Sequence, residues 1–211
     1  MSMRLRLLPL AVLAGLFLLP VLVCAQPSPV PGRVSPDVAA EALHTAQRTH
    51  LWRVGVWGGA NAVGGLALVL ASSRSDQSGR WNFGAMTAGW GAVNVGIAAA
   101  GLLGTTPPTA EAAAVLDAER QFHDILLFNL GLNVAYSAVG GTMLATGYRD
   151  VSNAARWRGF GSSLILQGAG LLVLDGVAFF ASRTRLADLL DPATAVSVQP
   201  LPTGIALTAH F

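Results

Sequence analysis

The residue with the clearest capacity for chemistry is an aspartate inside a long apolar run. Asp175 stands within Phe160–Ser182, a stretch long and apolar enough to cross a bilayer, and Gln167 lies two turns before it. An acid within a membrane is expensive to hold, so it faces protein or water and has a partner. Three earlier apolar runs carry side chains that can partner it: Asn61, Asn94, and the set Asn129, Asn133 and Tyr136. With a rise of about 1.5 Å per residue, Asn61, Asn133 and Asp175 fall at one depth, with Tyr136 and Gln167 below. Asn129 lies one turn above Asn133, and Asn94 about a turn deeper. Such a cluster is either an interhelical hydrogen-bond knot, worth roughly 0.6–2 kcal/mol per bond, or a protonatable site for an ion, a proton or a small polar ligand.

The elements that must position these residues are membrane spans. The chain is 53% hydrophobic and 11% charged, with its apolar residues in long blocks rather than spread as in a soluble domain. The spans fall at about 54–71, 83–104, 125–147 and 160–182. In the second, Ala88, Ala92, Gly96, Ala100 and Gly104 recur every four residues, which predicts a small-residue ridge where another helix approaches closely. Ser35-Pro36-Asp37 starts a helix, with a capping serine, Pro at the first position and an acid in the first turn. Asp37, Glu41, His44 and Arg48 then lie along one solvated face ahead of the first span. Thr109 caps a matching short helix, carrying Glu111, Asp117, Glu119 and Arg120, ahead of the third.

The remaining segments are of other kinds. Residues 1–25 read as a signal peptide: Arg4 and Arg6, an apolar core from Leu7, and small residues around Cys24. Residues 26–35 are a Pro-rich linker, and 186–211 form a tail in which Ile205, Leu207, Ala209 and Phe211 alternate, predicting a short extracytoplasmic hairpin. No other part alternates over strand length, which excludes a membrane β-barrel. Arg74, Arg80, Arg149, Arg156 and Arg158 crowd the two loops that follow the odd-numbered spans, whereas Glu111, Asp117, Glu119 and Asp124 crowd the segment between spans two and three. By the positive-inside rule the mature ends lie outside the cytoplasm, in a bacterial inner membrane.

Two stretches match at an offset of 76 residues: Ala62-Val63-Gly64-Gly65 with Ala138-Val139-Gly140-Gly141, and Arg80-Trp81 with Arg156-Trp157. Leu51, Gly55 and Leu68 match Leu127, Gly131 and Leu144 without a gap. The pattern predicts a tandem repeat of two helical hairpins, each preceded by a short amphipathic helix and both in one orientation.

Several functions lose support. All thirteen basic residues are arginine, and they form no basic face for nucleic acid. The single cysteine allows no disulfide framework. His44, His50 and His123 lie outside or at the outer interface; His50 and His123 can come close, but without a further ligand they make no metal or haem site. There is no phosphate loop, dinucleotide fingerprint, nucleophile elbow or zinc motif. The sequence therefore calls for no cofactor, metal or catalytic constellation.

Gly89-Trp90-Gly91-Ala92-Val93-Asn94, the Asn129/Asn133 pair, and Gln167-Gly168 with Leu171 to Asp175 together resemble a family of small bacterial four-span membrane proteins of uncharacterised function. The resemblance spans about residues 36–185 and implies the architecture alone. The expected fold is an all-α, four-helix transmembrane bundle. Its expected role is non-enzymatic, structural or interacting, with the bilayer and a membrane or periplasmic protein as partners. The alternative is a small transporter or ligand-binding protein built on Asp175, Asn61 and Asn133. An open cavity at Asp175 favours the alternative; a carboxylate fully bonded by asparagines, with no cavity, favours the first.

Overall fold

The first helix starts where Ser35-Pro36-Asp37 predicts, with Pro36 at the first position and Asp37 in the first turn, but Ser35 stands at the N-cap without a side-chain capping bond. The computed structural model describes residues 34–190, 197–201 and 204–208; the signal-peptide reading and most of the Pro-rich linker fall outside them. The helices are α1 (Pro36–Leu70), α2 (Ser78–Gly104), α3 (Ala112–Thr146) and α4 (Ala154–Leu190). Beyond them β1 (Ser197–Leu201) and β2 (Gly204–Thr208) pair antiparallel, from Leu201 opposite Gly204 to Ser197 opposite Thr208. All four helices are long and apolar enough to cross a membrane. The fold of the described residues is thus all-α apart from this hairpin.

Two expected boundaries are absent. The amphipathic segments ahead of spans one and three are not separate helices but the first turns of α1 and α3, each a single helix of 35 residues. Nothing in His50-Leu51-Trp52-Arg53 or His123-Asp124-Ile125 can break a helix, so the hydrogen-bond ladder continues through the change of polarity. Thr109 does not cap α3, whose N-cap is Glu111. α4 likewise runs past residue 182. α2, at 27 residues, is the shortest, so α1, α3 and α4 extend beyond its end.

Those extensions hold one another. Leu43 of α1, Phe122 and Leu126 of α3 and Ala178 of α4 form a buried apolar cluster, and Ala39, Ala40 and Val115 form a second. Between α3 and α4, Glu119 is buried and accepts hydrogen bonds from Ser182 Oγ (2.5 Å) and from Nε and Nη2 of Arg185 (2.9 Å each). Every carboxylate oxygen is bonded, so this buried ion pair needs no further partner. Arg48 donates to the carbonyl of Leu102 (3.3 Å), placing a cation at the C-terminal turn of α2.

In the membrane-length part the packing is inside-out. Most buried positions are small or polar (Gly58, Asn61, Gly65, Thr87, Gly91, Ser163, Gln167, Gly168), while Val63, Leu66, Leu70, Leu103, Phe128, Val134 and Phe180 are exposed. Apolar surface on this scale is the expected outside of a protein whose solvent is lipid.

The close contacts run along stripes of seven-residue spacing. α1 and α2 meet at Gly58 and Gly65 against Gly84 and Gly91, where a Cβ on Gly91 would sit 2.6 Å from the Gly58 carbonyl oxygen. α3 and α4 meet at Asn133 and Gly140 against Gly161 and Gly168, where a Cβ on Gly161 would sit 2.5 Å from the Leu144 nitrogen. This corrects the expected ridge. Of its five members only Ala88 touches α1; Ala92, Gly96, Ala100 and Gly104 are exposed, and added Cβ atoms at Gly96 and Gly104 would meet nothing. The reason is angular: steps of four advance the face by about 40° each, whereas steps of seven fall back only about 20°. A four-step ridge winds off the interface within three steps.

The helix boundaries recur at the spacing seen in the sequence. α1 and α3 begin at 36 and 112 and end at 70 and 146, and α2 and α4 begin at 78 and 154. Where α2 crosses α4, positions of the same spacing touch. Thr87 and Ser163 share a hydrogen bond of 2.8 Å, and a Cβ on Gly79 would meet the Ala155 carbonyl oxygen at 3.2 Å.

Candidate functional site

One face of α1 places its polar groups by helical spacing alone. His50, Val54, Gly58, Asn61 and Gly65, at steps of four, four, three and four, are all buried. The facing stripes supply Asn94 from α2, Asn133 from α3, and Gln167 and Asp175 from α4, all buried as well.

These side chains form two polar layers rather than one. In the outer layer Asn133 Nδ2 donates to Asp175 Oδ2 (2.6 Å), and His50 Nε2 faces Asp175 Oδ1 at 3.1 Å. In the inner layer Gln167 Nε2 donates to Asn61 Oδ1 (2.8 Å), while Asn61 Nδ2 donates to the Trp57 carbonyl one turn back (2.7 Å). Eight residues of α4 separate Asp175 from Gln167, about 12 Å along the axis. Asn61 therefore partners Gln167 and not Asp175, against the single-level expectation. Tyr136 packs its ring against Trp90 (centroids 5.0 Å apart).

The residue that sequence reasoning missed is His50. Starting the first span at residue 54 put this histidine in the interface, whereas the unbroken α1 carries it to the carboxylate. The signal was present in the stripe from His50 to Gly65. Its ring meets Phe122 edge-on (6.2 Å), while His123 stacks on Phe179 instead (4.4 Å). The described residues bring no three metal-binding side chains together.

The outer layer borders a groove of about 590 Å³ lined from all four helices, including His50, Asn94, Asn129, Asn133, Tyr136 and Asp175. It lies between α2 and α3, which make no close backbone approach to each other, unlike the α1–α2 and α3–α4 pairs. Ile97 of α2 and Ile125 of α3 line the groove and are also exposed on the apolar surface (58% and 51%), so the groove opens sideways there. Its other end reaches Thr105, Pro107 and Pro108 in the α2–α3 loop. Asn94 is 3% exposed, and its Nδ2 finds no hydrogen-bond partner; His50 Nδ1 is likewise buried without one. A buried amide left unbonded costs about 1–3 kcal/mol.

The model of a family of unknown function, DUF6992, matches residues 53–176, more than half of the chain. The chain belongs to this family. The DUF6992 segment takes in Asn61, Asn94, Asn133, Gln167 and Asp175, and stops short of His50 and of the Glu119–Arg185 pair's α4 member. No curated protein and no solved structure matches the chain. The DUF6992 assignment thus agrees with the family resemblance carried by Trp90, Asn94, Asn133 and Asp175, and brings no activity with it.

Proposed function

We propose that this chain is an integral membrane protein that binds a small amphipathic ligand in the groove between α2 and α3. The observation that carries the reading is Asn94: a buried amide with an unused donor, on a groove that also holds the His50–Asp175–Asn133 layer. Of the two roles the sequence left open, the cavity at Asp175 favours ligand binding over a purely structural or interacting protein.

The compartment is part of the same proposal. The bundle sits in a bacterial inner membrane, with both mature ends and the His50–Asp175 layer toward the extracytoplasmic side. Supporting this, the arginines of the opposite side are organised for an interface: Arg74, Arg156 and Arg158 lie over the rings of Trp81, Phe160 and Tyr148, and Arg158 also donates to the Gly147 carbonyl (2.6 Å). We further propose that α1–α2 and α3–α4 are tandem copies of one hairpin, supported by helix limits and inter-copy contacts at a spacing of 76 residues.

Native mass spectrometry of the protein released from mild detergent tests the ligand reading. A small molecule bound to the wild type and absent from Asn94→Leu is expected. Bare protein, or the same phospholipid adducts on both proteins, would overturn it.

A further inference from the structure

The groove has a counterpart elsewhere in the bundle, and the counterpart is filled. At the spacing of 76 residues, Trp57 of α1 corresponds to Asn133 of α3, and Gly170 of α4 corresponds to Asn94 of α2. On one side of the bundle the indole of Trp57 lies directly over Gly170; a Cβ there would be 2.6 Å from its Cη2. α1 and α4 touch along a short stretch, whereas α2 and α3 do not meet. On the second side asparagines replace both members of the Trp–Gly pair, and the space that the ring occupies on the first side is the groove. On the proposed duplication, one such place is filled by the protein's own indole and its counterpart is a groove lined by asparagines.

The walls state what fits. The Trp90 and Tyr136 rings line the groove and give it aromatic surface against which a flat ring can pack. Asn94 Nδ2 offers a donor with no partner, which calls for a hydrogen-bond acceptor on the occupant. Ile97 and Ile125 line an opening onto the lipid-facing surface, which suits an apolar tail. Free polar metabolites would gain nothing from that opening, and phospholipids lack a flat ring.

We infer that the ligand is a lipid-soluble quinone or close carbonyl-bearing ring, seated where Trp57 sits in the other half, with one carbonyl accepting from Asn94 and its tail leaving between α2 and α3. The inference rests on the proposed ligand-binding groove and goes further by naming the class of occupant.

The test is a titration of the full-length protein in detergent with a decyl-substituted benzoquinone, followed by tryptophan fluorescence. Decylbenzene, which has the same tail and a ring without carbonyls, is the control. Saturable quenching is expected with the quinone, weakened roughly tenfold in Asn94→Leu, and absent with decylbenzene. Equal response to the two compounds in the wild type would overturn the inference whatever the variant does. If the quinone fails while native mass spectrometry still shows an Asn94-dependent molecule, the class is wrong and the groove reading stands. If both fail, the groove is not a ligand site.

Discussion

Replacing His50 by leucine is expected to cost about 3 kcal/mol of stability, or roughly 6–12 °C in Tm for a chain of this size. Asp175 has two protein partners, Asn133 at 2.6 Å and His50 at 3.1 Å, and both the acid and the imidazole are buried. Leucine fills the space of the imidazole but removes one of those partners, leaving a carboxylate oxygen desolvated and unbonded. Breaking one side of a buried pair costs more than removing both sides. The double variant His50→Leu/Asp175→Leu is therefore expected to recover much of the loss, with a coupling of about 1–3 kcal/mol in the cycle. Thermal unfolding in one detergent checks it. Additive losses would mean that the two residues do not act as a pair.

The second large effect lies at the helix crossings. Gly161→Leu is expected to cost at least about 3 kcal/mol, because its Cβ would meet the Leu144 nitrogen at 2.5 Å and the Gly140 carbonyl oxygen at 2.6 Å. These are backbone atoms, so no rotamer change relieves the clash and α3 must move off α4. Gly96→Leu, on the outward side of α2 with open space around it, is expected to stay within about 0.5 kcal/mol. Detergent melts of the two variants check the packing assignment, and an equal loss at Gly96 would show that the outward ridge is buried against something after all.

Much of this architecture was legible in residue patterns, because lipid imposes a blunt rule. A span must be apolar over its length and satisfy its own backbone, so the runs holding Asn61, Asn94, Asn133 and Asp175 announced four helices. The same bluntness hid their true ends. Hydropathy marks where the membrane begins, not where the helix does, and His50 and Glu119 were placed outside although α1 and α3 run through them. The pairing of Asn133 with Asp175 followed from depth. The pairing of Asn61 with Gln167 did not, because depth along an axis says nothing of which faces meet. The ridge through Ala92 and Gly96 failed for a related reason: counting small residues at one spacing ignores the slow rotation of that spacing around the helix. The groove was beyond sequence reasoning altogether, since it comes from α3 keeping its distance from α2.

The central claim is that Asn94 is kept for a ligand and not for the fold. The most direct measurement is the thermal stability of Asn94→Leu beside the wild type, both freed of bound small molecules by extended detergent exchange. With no bond to lose, the variant is expected to melt no lower than the wild type, and up to about 1 kcal/mol higher once the unbonded amide is gone. A variant that melts lower by more than about 1 kcal/mol would contradict the account, because the amide would then be bonded within the protein.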